Sequence, residues 1–227
     1  MLTPAQDLIP PDPSDAHGDI PSDWELRARE ISSLLLPFRF GLAEVLTKIT
    51  ILREELTHRG EGNPIEHVSA RLKSLTSIRA KAEKLGLEDP AEVIETLNDI
   101  AGVRVVCSFI SDAYRVLEMI GSQPDLTILE VKDYVDSPKP NGYRSIHLIV
   151  SVPIFLSTGT EYPRVEIQIR TVAMDFWASV EHKIYYKFAK DIPAHLRAEL
   201  TLAAEVSHDL DQRMQALHRV VHGDTTS

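Results

Sequence analysis

Arg164-Val165-Glu166-Ile167-Gln168-Ile169-Arg170-Thr171 is the stretch on which the fold turns. Polar residues alternate with β-branched ones, so Arg164–Ile169 reads as a strand, with Glu166, Gln168 and Arg170 sharing one face and Val165, Ile167 and Ile169 on the other. Thr171 then caps a helix running to about Phe188. Upstream, Asn98-Asp99-Ile100-Ala101-Gly102-Val103-Arg104-Val105-Val106-Cys107 sets Asp99 at the mouth of a second apolar run, with a strand from Val103 to Phe109. Between the two lies Lys139-Pro140-Asn141-Gly142-Tyr143-Arg144-Ser145-Ile146-His147, where Asn141-Gly142 permits a tight reversal. Carboxylates are costly to bury unless they are paired or bound to metal. Mg²⁺-dependent phosphoryl chemistry gives Asp99 and Glu166 a reason to stand on such runs, with carboxylates on the metal and basic residues on the phosphates.

Elements alternate outward from this centre. Residues 1–21 carry Pro4, Pro10, Pro11, Pro13 and Pro21 and are expected to form a disordered leader. Residues 22–60 are expected to hold N-terminal helices, a first from Ser22 that Pro37 breaks or kinks and a second from about Phe38 to His58. The central domain spans 61–190. In it, Ile65–Leu72 reads as a strand, Ser74–Leu85 as a basic helix stopped by Gly86, and Ala91–Leu97 as a helix. Ser111–Ile120 is helical, and Leu126–Val135 and Tyr143–Val152 are strands. A last helix, Pro193–Val221, fills 191–227. Strands interleaved with helices, with helices at both ends, predict an α+β domain with a mixed five-stranded sheet.

Composition narrows the function. The 227-residue chain has a formal net charge of −10, which argues against a general nucleic-acid-binding surface. Yet Arg71–Lys84 reads RLKSLTSIRAKAEK, with five basic residues against Glu83 alone, a local stripe suited to a compact anion. The single cysteine, Cys107, excludes an internal disulfide and reads as a small buried residue. No secretion signal and no membrane-length apolar run is visible, so the expectation is a soluble, cytoplasmic protein.

Each motif has a plainer reading. The basic stripe alone is also what a solvated helix face looks like, and there is no GxxxxGK[ST] loop. Asp99 alone is also a turn acid, and the Glu166 face also a solvent-facing edge. The Lys139–His147 segment is also an ordinary hairpin turn, although Tyr143, flanked by Lys139 and Arg144, offers a flat ring to a base. Asp175, Ala178 and His182 share a helix face, where His182 alone reads as a core histidine and Trp177 and Tyr185 as packing residues. There is no HExxH, and His208-Asp209 stands alone on the last helix.

In order, RLKSLTSIRAKAEK, NDIAGVRVVC, KPNGYRSIH and VEIQIRTVAMDFWASVEHKIYYK resemble the synthetase domain of the RelA/SpoT family, and specifically its small alarmone synthetases. The resemblance covers about Pro64 to Lys187. It implies a nucleotidyltransferase-like fold and transfer of the β,γ-pyrophosphate of ATP to the ribose 3′-hydroxyl of GDP or GTP. The products are ppGpp or pppGpp, and AMP. By motif position, Arg71, Lys73, Ser77, Lys81, Lys84 and Arg104 would bind ATP, with Lys84 standing where arginine is common. Asp99 and Glu166 would hold Mg²⁺, with Glu166 also the base toward the 3′-hydroxyl. Tyr143 would stack on guanine, Lys139 and His147 would lie near the acceptor phosphates, and Gln168 would position the nucleotide. Asp175, where asparagine is frequent, would adjoin the guanine site. The family forms homotetramers through its terminal helices, and in some relatives product stimulates the enzyme at the tetramer centre. His67 in place of an aromatic, with only Lys48 and Arg53 in the relevant stretch of the preceding helix, argues against that stimulatory site here. Two rival readings are a relative acting on another 3′-hydroxyl, of an adenine nucleotide or tRNA, and an inactive nucleotide-binding module.

Overall fold

A computed structural model describes residues 22–60, 62–188 and 192–222. The expected leader, 1–21, lies outside the described residues. Helix α1 spans Ser22–Arg59 as one element, with Pro37 inside it. The expected break at Pro37 does not occur. An interior proline costs about 3 kcal/mol, but Leu35, Phe38, Leu42, Val45, Leu46 and Ile49 are all buried along one side of the helix. At about 1.5–3 kcal/mol for each such side chain, packing on both sides of Pro37 outweighs one lost backbone donor.

The central sheet is built from β1 (Ile65–Leu72), β2 (Ala101–Cys107), β3 (Thr127–Asp133), β4 (Ile146–Ser151) and β7 (Arg164–Thr171), in the order β1-β2-β7-β4-β3. Only β2 and β7 run parallel among the paired neighbours; the other pairs are antiparallel. The mixed five-stranded α+β expectation therefore holds. A small ribbon, β5 (Ile154–Leu156) with β6 (Gly159–Glu161), was not expected, since three-residue strands are too short to show a period. Helices α2 (Leu75–Leu85), α3 (Pro90–Thr96), α4 (Ile110–Gly121), α5 (Val172–Lys187) and α6 (Ala194–His222) complete the fold.

The sheet has two chemically distinct faces. Val103, Val105, Leu148, Val150, Ile167 and Ile169 form the core with α1 and with Ala113, Val116 and Ile120 of α4. Cys107 is buried, and burial, with Asp112 and Glu66 nearby, pushes its thiol up to about 12. α1 comes so close that a Cβ on Gly41 would lie 2.7 Å from Pro163 Cγ. The opposite face carries the polar residues in register. Arg71 lies opposite Gly102 and Gly102 opposite Glu166, while Ser69, Arg104, Gln168 and His147 line up across four strands.

Local signals behave as their chemistry requires. Ser74 caps α2 through its side chain and Gly86 ends it at φ +70°. Thr171 Oγ1 accepts from the Met174 N–H, which starts α5. β4 begins at Ile146, not at Tyr143, because the preceding residues are committed to a turn. The Gly142 N–H donates to the Lys139 carbonyl, the Lys139 N–H to the Tyr143 carbonyl, and Asn141 Oδ1 accepts from the Tyr143 N–H. Gly142 sits at φ +85°, and a Cβ there would lie 2.5 Å from Ala204 Cβ of α6. Trp177 is buried as expected, while Tyr185 and His182 are exposed. Among the described residues, no helix is long and apolar enough to cross a membrane.

Candidate active site

A cleft of about 230 Å³ opens on the polar face, lined by Ser69, Arg71, Asp99, Gly102, Arg104, Glu166 and Gln168, among others. Gly102 contributes no side chain directly opposite Glu166, which keeps the floor open. Both expected carboxylates thus share one cleft, Asp99 from the approach to β2 and Glu166 from mid-β7.

One flank of the cleft is dominated by lysines. Lys73 Nζ lies 2.6 Å from Asp99 Oδ2 and Lys81 Nζ 2.8 Å from Asp99 Oδ1, so each oxygen carries an ammonium. Burial pushes the Asp99 carboxyl up, but the two ammonium groups outweigh it and hold the group below its ordinary value. Ser77, Lys81 and Lys84 follow at helical spacing on one side of α2. Ser77 is engaged with the Ser74 hydroxyl at 2.9 Å, and Lys84 is exposed in the last turn. These two therefore stand outside the cleft, on the same helix face as Lys81.

The other flank is a connected network. Tyr143 Oη lies 2.7 Å from His147 Nε2, and His147 Nδ1 lies 3.0 Å from Glu166 Oε1. Gln168 Nε2 donates to Glu166 Oε2 at 3.0 Å. Burial pushes the Glu166 carboxyl up, but His147, then Gln168, outweigh it and hold the group below its ordinary range, against the opposing charge of Asp99. Lys139 Nζ sits 4.8 Å over the Tyr143 ring and 4.6 Å over that of Tyr134. Trp177 packs 6.4 Å from Tyr143 and ties α5 to α6 by donating to the Leu200 carbonyl.

Asp175 is where the two sides meet. Its Oδ1 accepts a hydrogen bond from Arg170 Nη1 at 2.9 Å and forms an ion pair with Arg104 Nη1 at 3.1 Å. Burial, followed by the neighbouring Arg170 charge, lowers the Arg104 pKa from its ordinary value. Sequence reasoning placed Arg170 on the right face but gave it no role, and it missed Tyr134. Arg170 was foreshadowed by the strand's alternation; Tyr134 left no signal beyond being aromatic near a strand end.

Hard carboxylate oxygens suit Mg²⁺, which is commonly held by one or two carboxylates together with substrate phosphates. Among the described residues there is no group of three or more His, Cys, Asp or Glu arranged to hold a metal ion. Two carboxylates in one cleft, beside cations for phosphate, fit that shared mode of binding and not a cage made by protein alone.

A mixed sheet whose polar face joins two carboxylates to separate cationic flanks defines a nucleotide site for phosphoryl-group chemistry. The chain belongs to the RelA/SpoT family: the family model described as a region found in RelA / SpoT proteins matches residues 70–191. It is 49% identical to the GTP pyrophosphokinase YwaC of Bacillus subtilis, over 82% of this chain and 90% of that protein. Its fold is similar to the crystal structure of small alarmone synthetase 2 from B. subtilis, with a TM-score of 0.76 and 48% identity over 82% of this chain and 97% of the other. Small alarmone synthetase 1 from the same organism, bound to its product pppGpp, superposes with a TM-score of 0.79 at 35% identity, over 88% of this chain and all of that one.

Proposed function

We propose that this chain is a GTP pyrophosphokinase that moves the β,γ-pyrophosphate of ATP onto the ribose 3′-hydroxyl of GDP or GTP. The observation that carries the reading is the shared cleft of Asp99 and Glu166, with Lys73, Lys81 and Arg71 on one flank and Lys139, Tyr143 and His147 on the other.

Arg71, Lys73, Lys81 and Arg104 take the ATP phosphates, and the lysines exchange their bonds to Asp99 for phosphate oxygens. Ser77 and Lys84 extend this surface along α2. Tyr143 stacks on guanine, Lys139 and His147 lie near the acceptor phosphates, and Gln168 and Asp175 bound the nucleotide. Glu166 accepts the 3′-hydroxyl proton as the O3′–Pβ bond forms and the bond from Pβ to the bridging oxygen of AMP breaks. Base catalysis of this kind is worth roughly 10²–10⁴-fold. The cationic side chains stabilise the charge that develops on the transferred group and on AMP. Asp99 and Glu166 would hold Mg²⁺, which supplies Lewis-acid neutralisation of the triphosphate oxygens when bound.

We place the protein in the cytoplasm, where its substrates are, as an alarmone source in a bacterial stress response. We also assign it a homotetramer built on its terminal helices. In support, Phe176, Leu202, Val206, Leu210 and Met214 leave an apolar groove of about 950 Å³ exposed between α5 and α6.

The test is incubation with Mg²⁺, ATP labelled in its γ-phosphate, and each of GMP, GDP, GTP and ADP. Label on GDP or GTP with AMP release is expected, and Glu166→Gln should abolish it while ATP binding persists. Transfer to ADP alone, or to none of these with ATP bound, would refute the reading.

A further inference from the structure

We propose that Arg170 is a positioning residue for Glu166, acting through the Tyr143 hydroxyl and His147 on one carboxylate oxygen and through Gln168 on the other; this rests on Glu166 being the proton acceptor. The argument follows the donors. A guanidinium has donors only. Arg170 Nη2 lies 2.8 Å from Tyr143 Oη and 2.8 Å from Gln168 Oε1, so both oxygens accept from it. With Oε1 facing Arg170, the Gln168 amide turns its Nε2 toward Glu166 Oε2, 3.0 Å away.

The other route has one more link. Because Tyr143 Oη accepts from Arg170, its own proton goes to His147 Nε2 at 2.7 Å. That nitrogen is then an acceptor, and a neutral imidazole carries its proton on Nδ1, 3.0 Å from Glu166 Oε1. Each oxygen of the base thus takes one donor, and a single side chain orients both. Arg170 is itself fixed, only 5% exposed and anchored on Asp175 at 2.9 Å.

Two consequences are specific. Tyr143 has separable roles, its ring for the acceptor base and its hydroxyl for His147. His147, donating from Nδ1, cannot take the 3′-hydroxyl proton on that nitrogen, so the proton falls to the carboxylate.

Tyr143→Phe keeps the ring and removes the hydroxyl. We expect kcat to fall about tenfold, the scale of one lost hydrogen bond, with acceptor KM held within about twofold. In ¹⁵N spectra of the ligand-free protein, His147 should be the Nδ1–H tautomer, and Tyr143→Phe should give a mixture of tautomers. Arg170→Lys, with one ammonium in place of the Nη1 that anchors on Asp175 and the Nη2 that serves both oxygens, should lower kcat at least as far; if it fails to fold, Tyr143→Phe carries the test. An Nε2–H tautomer in the wild type, or wild-type kcat in Tyr143→Phe, would overturn the proposal. The spectra need no turnover. A protein that transfers no pyrophosphate yet shows this tautomer, released in Tyr143→Phe, would refute the functional reading and support the orientation of Glu166.

Discussion

Asp211→Asn should stabilise the protein at neutral pH, although it removes a charge from a hydrogen-bonded site. Asp211 is 4% exposed on α6, and its Oδ2 accepts from the Thr171 hydroxyl at 2.7 Å. Burial pushes its carboxyl from 3.8 up to about 6, against the lowering effects of Thr171 and the Arg144 charge. A raised acid pKa means that the folded state binds the proton more tightly than the unfolded chain does. Ionised Asp211 therefore costs stability above pH 6, and the cost fades as pH falls from about 6 to about 4. The interval between those values, at about 1.4 kcal/mol per pH unit, bounds the cost near 3 kcal/mol. The attractions to Thr171 and Arg144 are already part of the value near 6, and relaxation around the ionised carboxylate brings the expected gain to about 1–2 kcal/mol. Asparagine keeps an oxygen for the Thr171 hydroxyl, so the bond survives. Urea unfolding of both proteins, at fixed protein concentration and at pH 7.5, 6 and 4.5, reads this directly. The variant's midpoint should be higher at pH 7.5, with the advantage shrinking at each lower pH. A pH-independent difference, or a less stable variant at pH 7.5, would refute the argument.

Gly142→Ala must accept φ +85° and a 2.5 Å approach to Ala204 Cβ. A shifted loop should raise acceptor KM more than ATP KM, with a stability loss of about 2–4 kcal/mol from overpacking and left-handed strain; unchanged acceptor KM would count against the loop's role. With both Asp99 oxygens held by Lys73 and Lys81, Mn²⁺ alone should bind weakly, and a non-transferable ATP analogue should tighten it at least tenfold. Equal Mn²⁺ affinity by electron paramagnetic resonance with and without the analogue would show that the lysines do not mask the site. Tyr143→Ala, lacking the ring as well as the hydroxyl, should raise acceptor KM as well as lower kcat. Steady-state kinetics that leave acceptor KM unchanged would remove the stacking role.

Much of the site was legible because strand alternation is a short-range signal. The period of β7 put Glu166, Gln168 and Arg170 on one face, and Ser74 and Gly86 bounded α2 through capping chemistry. What escaped depended on contacts distant in sequence. The continuity of α1 through Pro37 follows from burial against the sheet, which no local rule weighs. The link from Arg170 to Glu166 requires His147 to lie opposite Gln168, a register set by the pairing of β4 with β7. The pairing of Asp175 with Arg104 likewise joins residues distant in sequence, one on α5 and the other on β2.

The C-terminal helix touches the protein at two places that matter. Ala204 backs the turn at Gly142, and Asp211 holds Thr171, where β7 ends and α5 begins. On the proposed assignment of Tyr143 to guanine, seating of this helix and filling of that side are two ends of one thermodynamic balance. A nucleotide that steadies the turn tightens the helix, and anything that grips the helix must change nucleotide affinity by the same factor. Residues that never meet the nucleotide thus share in setting how well it is held.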